Sequence, residues 1–101
     1  MPVAHARIAT DDASRLIKRL CTHWRHKFPV EFDSERGRVP FDDATVATLH
    51  AGPDHLAARI EAADGARLAQ MQDVVAEHLQ RMARGDRPLR IEWSAGDADV
   101  A

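Results

Sequence analysis

The sequence predicts an α+β fold, a two-layer sandwich in which two helices pack on one face of a mainly antiparallel sheet. Two stretches, residues 12–27 and 65–84, repeat apolar residues at spacings of three and four, which is typical of amphipathic helices. Between them lie four short segments of alternating apolar and polar residues, joined by connections too short for crossovers. The predicted order is β-α-β-β-β-β-α-β, in a single domain that spans residues 1–101.

Composition narrows the class of protein. The chain of 101 residues is 45% hydrophobic and 30% charged, which provides enough apolar material for a core and excludes wholesale disorder. A formal net charge of −2 argues against non-specific nucleic-acid binding. A lone cysteine, the lack of a signal-peptide pattern and the lack of a long apolar run predict a cytoplasmic protein with no membrane span.

The first strand and the first helix lie near the N-terminus. Val3–Ala9 is apolar enough for a strand, and residues 10–12 (Thr-Asp-Asp) supply oxygens that can cap a helix. The helix is expected over residues 12–27, and Pro29 ends it because proline disfavours helical geometry at the residue before it. Its apolar stripe consists of Ala13, Leu16, Ile17, Leu20, Cys21, Trp24 and Phe28.

The alternating segments form the expected meander at residues 30–33, 38–41, 45–51 and 56–62. A turn at residues 34–37 joins the first two segments, and Gly37 is free to take a positive φ there. The sheet face away from the helices should be polar, with side chains such as Glu31, Asp33, Arg59, Glu61, Arg90 and Glu92.

The second helix is expected from about Gly65 to Arg84, capped by Asp64 and closed by Gly85. Alternation over residues 89–93 predicts a last strand, and the small, acidic residues 94–101 predict a frayed tail. The apolar face of the second helix consists of Leu68, Met71, Val75, Leu79 and Met82.

Residues 20–30 contain the only cysteine, two of the six histidines and one of the two tryptophans, and Cys21-x-His23-x-x-His26 within them has the appearance of a metal motif. Helical geometry divides it, because residues two apart lie about 160° apart around the axis. Cys21 therefore falls on the apolar side with Trp24 and Phe28, as the core of the motif. His23 and His26 lie together on one flank, where they could share a ligand.

His78 lies at the border of the apolar face of the second helix and could approach the first helix. The predicted metal-binding residues are therefore His23, His26 and His78, with a transition metal as the expected cofactor. A polar helix flank and a satisfied, half-buried histidine are the plainer alternatives. His5, His50 and His55 lie on a strand or near turns, and each alone says little about function.

With its Cys21-x-His23-Trp24-x-His26-Lys27 run as the most telling part, the chain from about Ala6 to Trp93 resembles the small bacterial domain family DUF2218, whose function is undefined. The resemblance implies a stand-alone bacterial domain. It also suggests iron handling, because some members occur beside, or fused to, flavin-dependent siderophore-interacting proteins. The most specific part is the Cys-x-His-Trp-x-His-Lys run, and the supporting stretches are Ala13-Ser14-Arg15, Leu20 to Phe28, Val30 to Asp33, Gly37 to Phe41, Val75 to Leu79 and Ile91 to Trp93.

The leading hypothesis is a non-enzymatic binding protein that uses His23, His26 and His78, braced by Trp24. The expected ligand is a metal, a metal chelate or a partner such as a siderophore-interacting flavoprotein, and imidazole binding should weaken at low pH. One alternative is a small enzyme with His23 or His78 as general acid or base. Another is a purely structural or interaction domain. Whether the protein is a monomer or a homodimer stays open.

Overall fold

The computed structural model describes residues 2–83 and 88–96, which form one six-stranded antiparallel sheet and two helices. The strand order across the sheet is β2-β3-β4-β5-β1-β6. The predicted α+β class, element order and meander are confirmed. The elements are β1 (Val3–Ala9), α1 (Ala13–Trp24), β2 (Glu31–Phe32), β3 (Arg36–Asp42), β4 (Thr45–Ala51), β5 (His55–Glu61), α2 (Gly65–Met82) and β6 (Ser94–Ala95).

Both helices pack on the same face of the sheet, α1 over β2, β3 and β4, and α2 over β5 and β1. The apolar stripe of α1 is buried from Ala13 to Trp24, and α2 buries Met71, Val75 and Leu79. The inner sheet face contributes alternate residues, as period-2 side-chain direction requires. These are Ala4, Ala6 and Ile8 on β1, Val39 on β3, Ala47 and Leu49 on β4, and Leu56, Ala58 and Ile60 on β5. No described helix is long and apolar enough to cross a membrane.

The first helix ends three residues earlier than predicted, at Trp24. The Trp24 carbonyl accepts hydrogen bonds from the backbone N–H of Lys27 (2.9 Å) and of Phe28 (3.0 Å). This tightening into a turn is common at helix ends, and it occurs here before Pro29 is reached. The predicted end of the helix at residue 27 is therefore wrong, and His26 lies in the turn after the helix.

The two helix starts differ. Asp64 caps α2 as predicted, since its carboxylate accepts a hydrogen bond from the Arg67 backbone N–H at 2.8 Å. Asp12 occupies the corresponding position of α1 but makes no side-chain cap. Its carboxylate pairs with the Arg15 side chain at 2.5 Å, so an ion pair replaces the predicted cap.

Gly37 lies within β3 and not in a turn, and among the described glycines only Gly96 has a positive φ. The predicted positive φ at Gly37 is therefore wrong. The reason for glycine is close packing, because a Cβ at this position would lie 2.7 Å from Cys21 Sγ and 3.2 Å from Ile17 Cγ2. Helix α1 rests directly on the backbone of β3 at this point.

The last strand is shorter and later than predicted. Residues 89–93 are not in a strand, and β6 pairs Ser94 and Ala95 with β1. The Gln80 side chain occupies both backbone groups of Leu89, accepting from its N–H at 2.8 Å and donating to its carbonyl oxygen at 2.5 Å. These hydrogen bonds take the place of backbone pairing with a neighbouring strand. The apolar side chains of Leu89, Ile91 and Trp93 still pack against the core. Gly85 and residues 97–101 lie outside the described residues.

The turn between β2 and β3 begins at Asp33. The hydrogen bonds of the Asp33 carboxylate predict that pH affects the stability of the fold. Asp33 Oδ1 accepts hydrogen bonds from the backbone N–H of Glu35 (2.8 Å) and of Arg36 (2.9 Å). Both hydrogen bonds lower the pKa of Asp33 below its ordinary value of 3.8, and the one from Glu35 has the larger effect. A lowered folded-state pKa stabilises the fold above the unfolded pKa, and this stability is lost as pH falls through the folded value.

Replacing Asp33 by asparagine keeps an acceptor oxygen that does not titrate. We therefore expect the free energy of unfolding of D33N to fall less than that of the wild type between about pH 5 and pH 2. Urea unfolding at several pH values in this window measures the difference. Parallel curves for the two proteins would show that this turn contributes nothing to acid sensitivity.

Candidate functional site

An aromatic cluster lies where the end of α1 meets β3. The Trp24 side chain, only 4% exposed, packs edge-on against the Phe41 ring with centroids 5.0 Å apart. Phe28 makes a second edge-on contact with Phe41, also at 5.0 Å. This geometry is favourable for aromatic pairs, and it ties the end of α1 to the sheet.

A β-bulge at Phe41 helps to position that ring. Pro40 lies opposite Val46 and Asp42 lies opposite Thr45, so Phe41 is the extra residue on β3. A bulge bends its strand and re-aims the side chain at the insertion. The alternation of the sequence gives no sign of the bulge, because Val39 and Phe41 match a regular strand equally well.

Cys21 is fully buried, as predicted, on the side of α1 that faces the sheet. Burial disfavours the thiolate and raises the pKa of the Cys21 thiol to about 11. A thiol of this kind is a poor metal ligand and a poor nucleophile near neutral pH, because both roles need the thiolate. The chemistry of this stretch therefore falls to its histidines.

His23 and His78 meet across the two helices. His23 lies in the last turn of α1 and His78 on α2, with ring centroids 5.4 Å apart. The His78 ring also lies 5.0 Å from the Trp24 indole. Two imidazoles that share a metal at about 2.1 Å from each nitrogen have ring centres roughly 5 Å apart. The observed spacing therefore suits a shared ligand.

The backbone fixes the tautomer of His78. Its Nδ1 lies 2.7 Å from the Val74 carbonyl oxygen, which can only accept a hydrogen bond. Nδ1 therefore carries the proton in the neutral ring, and Nε2 has the lone pair. A hydrogen bond from the other ring nitrogen to a backbone carbonyl is one of the usual arrangements of metal-binding histidines in proteins.

The histidine pair opens into a surface groove of about 380 Å³, here called the helix groove. The aromatic cluster forms its apolar wall, and His26, Lys27 and Arg67 also line it. Arg67 is held by the Asp42 carboxylate at 3.1 Å. The lining in the described part of the chain includes no serine, threonine, aspartate or glutamate. The groove is therefore aromatic and cationic, with imidazole as its chemically versatile group.

The structure brings the three predicted ligands together only in part. His23 and His78 are in ring contact, and His26 lines the same groove from the turn after α1. Within residues 2–83 and 88–96, no three histidine, cysteine, aspartate or glutamate side chains are arranged to hold a metal ion. A bare ion would thus meet an incomplete site, whereas a metal that already has other ligands needs fewer from the protein.

Sequence reasoning missed a second groove, on the sheet face away from the helices. Antiparallel register places His5, His50 and His55 on the same face but in three different rows, and each lines the edge of a groove of about 430 Å³. We call this the sheet groove. The signal was present as basic residues at alternate positions, such as His5 and Arg7, or Arg36 and Arg38. Only the strand order shows that these residues share one surface.

Comparison with known proteins identifies the family. Residues 5–94 match the model of a family described as an uncharacterized protein conserved in bacteria, DUF2218. The chain belongs to the DUF2218 family. The DUF2218 match includes the Cys-x-His-Trp run and both histidines of the pair. It confirms the expected resemblance and bacterial origin, and it gives no function.

A solved structure supports the DUF2218 fold. The NMR structure of PA4090 from Pseudomonas aeruginosa is 44% identical in sequence, with a TM-score of 0.79. The alignment covers 93% of this chain and 96% of that one. A search of curated proteins finds no match.

Proposed function

We propose that this DUF2218 domain is a non-enzymatic binding protein that holds a chelated transition metal in the helix groove. His23 and His78 donate two imidazole nitrogens, and other ligands of the metal come from the chelator. The observation that carries the proposal is the His23–His78 contact at 5.4 Å. Neutral imidazole is a good ligand for iron, copper, nickel and zinc.

Charge and shape favour a chelate over a bare cation. Lys27 and Arg67 line the groove, Arg67 with its charge offset by Asp42, and no carboxylate among the described lining residues attracts a free divalent cation. A complex with anionic chelator oxygens carries charge of the opposite sign, and the partly buried rings of Phe28 and Phe41, backed by Trp24, can cover its organic part.

The acid/base alternative uses the same histidines but has less support. A general base usually acts on a nucleophile or beside an orienting carboxylate. The described lining of the helix groove offers neither, whereas two imidazoles in contact suit a shared metal. Metal handling next to a siderophore-interacting flavoprotein remains our expectation for the partner, and it depends on the family resemblance alone.

The test is calorimetric titration of the untagged protein with Ni²⁺ nitrilotriacetate, a negatively charged chelate with two adjacent coordination positions open. Losing one imidazole removes the chelate effect, so His23→Gln and His78→Gln should each weaken binding about tenfold or more. His50→Gln, on the opposite face of the sheet, is the matched control and should bind like the wild type. His26→Gln shows whether the third predicted ligand takes part.

A second chelate tests the role of charge. Ni²⁺ tris(2-aminoethyl)amine also leaves two adjacent positions open but is positively charged, so the wild type should bind it more weakly than the nitrilotriacetate complex. Equal binding by the wild type, His23→Gln and His78→Gln would exclude the pair as the site. Tighter binding of the cationic chelate would exclude the proposed charge preference.

A further inference from the structure

The sheet groove lies on a cationic surface in an acidic protein. Four arginines, Arg7, Arg36, Arg38 and Arg59, share the open face with two glutamates, Glu31 and Glu61. These charges give the strand residues of this face a net charge of +2, while the whole chain has −2 with neutral histidines. The strand side chains of this face are therefore more positive than the chain as a whole, and although the loop carboxylate of Asp54 beside Arg7 offsets part of that charge, the face favours anionic ligands.

Strand register gives the groove its shape. One row across the sheet runs Arg36, His50, Ala57 and Arg7, on β3, β4, β5 and β1. The short side chain of Ala57 lies between long ones, and Thr48 is the short residue of the next row. Because short side chains lie between long ones, the surface of the sheet has a depression at this point. Its volume of about 430 Å³ lies in the range of small-molecule sites.

The two ends of this row carry guanidinium groups. Arg7 and Arg36 lie three strand spacings apart, or roughly 14 Å between backbones. Among the described residues Arg7 has a loose partner in Asp54, at 3.9 Å, and both side chains are more than 70% exposed. An exposed pair of this kind contributes little, so Arg7 can turn to a ligand at small cost.

We propose that the sheet groove binds a small organic acid with an apolar body and a carboxylate at each end. The body lies over Ala57 and Thr48, and the carboxylates pair with Arg36 and Arg7. Guanidinium pairs with carboxylates through two parallel hydrogen bonds, which makes both ends specific. This site is separate from the helix groove and does not depend on the function proposed for it.

The probe is 2,6-naphthalenedicarboxylate, added to ¹⁵N-labelled, untagged protein and followed by amide chemical shifts. The amides of Thr48 and Ala57 should shift most. Two simpler acids separate the contributions: 2-naphthoate has the apolar body with one carboxylate, and citrate has several carboxylates without the body. The dicarboxylate should bind about tenfold or more tightly than either one, because both ends and the body contribute.

Arginine variants locate the site. Arg36→Gln and Arg7→Gln should each reduce dicarboxylate affinity to that of 2-naphthoate. Arg81→Gln is the matched control, since Arg81 lies on α2, paired with Glu77, and should bind like the wild type. Three results would each overturn the proposal. The first is an equal loss of dicarboxylate affinity in Arg81→Gln, and the second is inorganic phosphate binding as tight as that of the dicarboxylate. The third is chemical-shift changes confined to the helix groove.

Discussion

Replacing Gly37 by alanine is expected to lower the free energy of unfolding by about 1 to 3 kcal/mol, the usual cost of overpacking a core. The new Cβ would lie 2.7 Å from Cys21 Sγ and 3.2 Å from Ile17 Cγ2, closer than packed atoms tolerate. Helix α1 would have to move away from β3. Urea denaturation followed by circular dichroism measures the loss.

Two further variants show whether the clash is the cause. Gly65→Ala makes the same chemical change at the start of α2, where a Cβ meets nothing within 4 Å, so stability should hold or rise slightly. Cys21→Ala removes the sulfur that Gly37→Ala would strike. The double variant should therefore lose less stability than the two single losses combined. Strict additivity would mean that the contact between Cys21 and residue 37 is not what requires glycine.

Replacing Trp24 by alanine should have the largest effect on stability, a loss of about 3 to 5 kcal/mol. The side chain is 4% exposed and touches both Phe41 and His78, with centroids 5.0 Å away in each case. Its removal leaves a cavity and releases the end of α1. A loss of this size is a large share of the stability of a small domain.

The second tryptophan supplies the control. Trp93 is only partly buried, so Trp93→Ala should cost clearly less than Trp24→Ala in the same urea experiment. Trp24→Phe keeps an aromatic ring and should retain enough stability for binding to be measured. Weaker Ni²⁺ nitrilotriacetate binding in Trp24→Phe is expected, because the indole supports the His78 ring. Equal losses for the two alanine variants would contradict the anchoring role of Trp24.

The periodic parts of the fold could be predicted from the sequence because burial repeats with the period of each element. The stripes of α1 and α2 and the four meander strands follow this rule, and their core residues are the expected ones. Asp64 could also be predicted, since a cap needs only a local side chain and a nearby N–H.

Features set by tertiary contacts were not predictable in the same way. The end of α1 at Trp24 and the bulge at Phe41 depend on how the helix and sheet meet, and alternation is unchanged by either. Gly37 suggested a turn, because glycine serves both positive φ and close approach and the sequence does not distinguish them. Leu89 lost its strand pairing to a side chain nine residues away, Gln80.

The two candidate sites illustrate the same division. His23 and His78 could be suspected from their helical positions, but their contact depends on how α1 and α2 pack. The sheet groove needs the order of β3, β4, β5 and β1, because its residues come from four strands. The short connections of the meander predict that β3, β4 and β5 are neighbours, but a single sequence does not show that β1 lies beside β5.

The most direct test of the central claim counts the imidazole ligands of a bound chelate. Pulsed electron paramagnetic resonance of Cu²⁺ nitrilotriacetate on the untagged protein reports the coordinated imidazole nitrogens. We expect two imidazoles in the wild type and in His50→Gln, and one in His23→Gln or His78→Gln, each of which should also bind less tightly. A single imidazole in the wild type, or two in His78→Gln, would contradict a metal shared by His23 and His78.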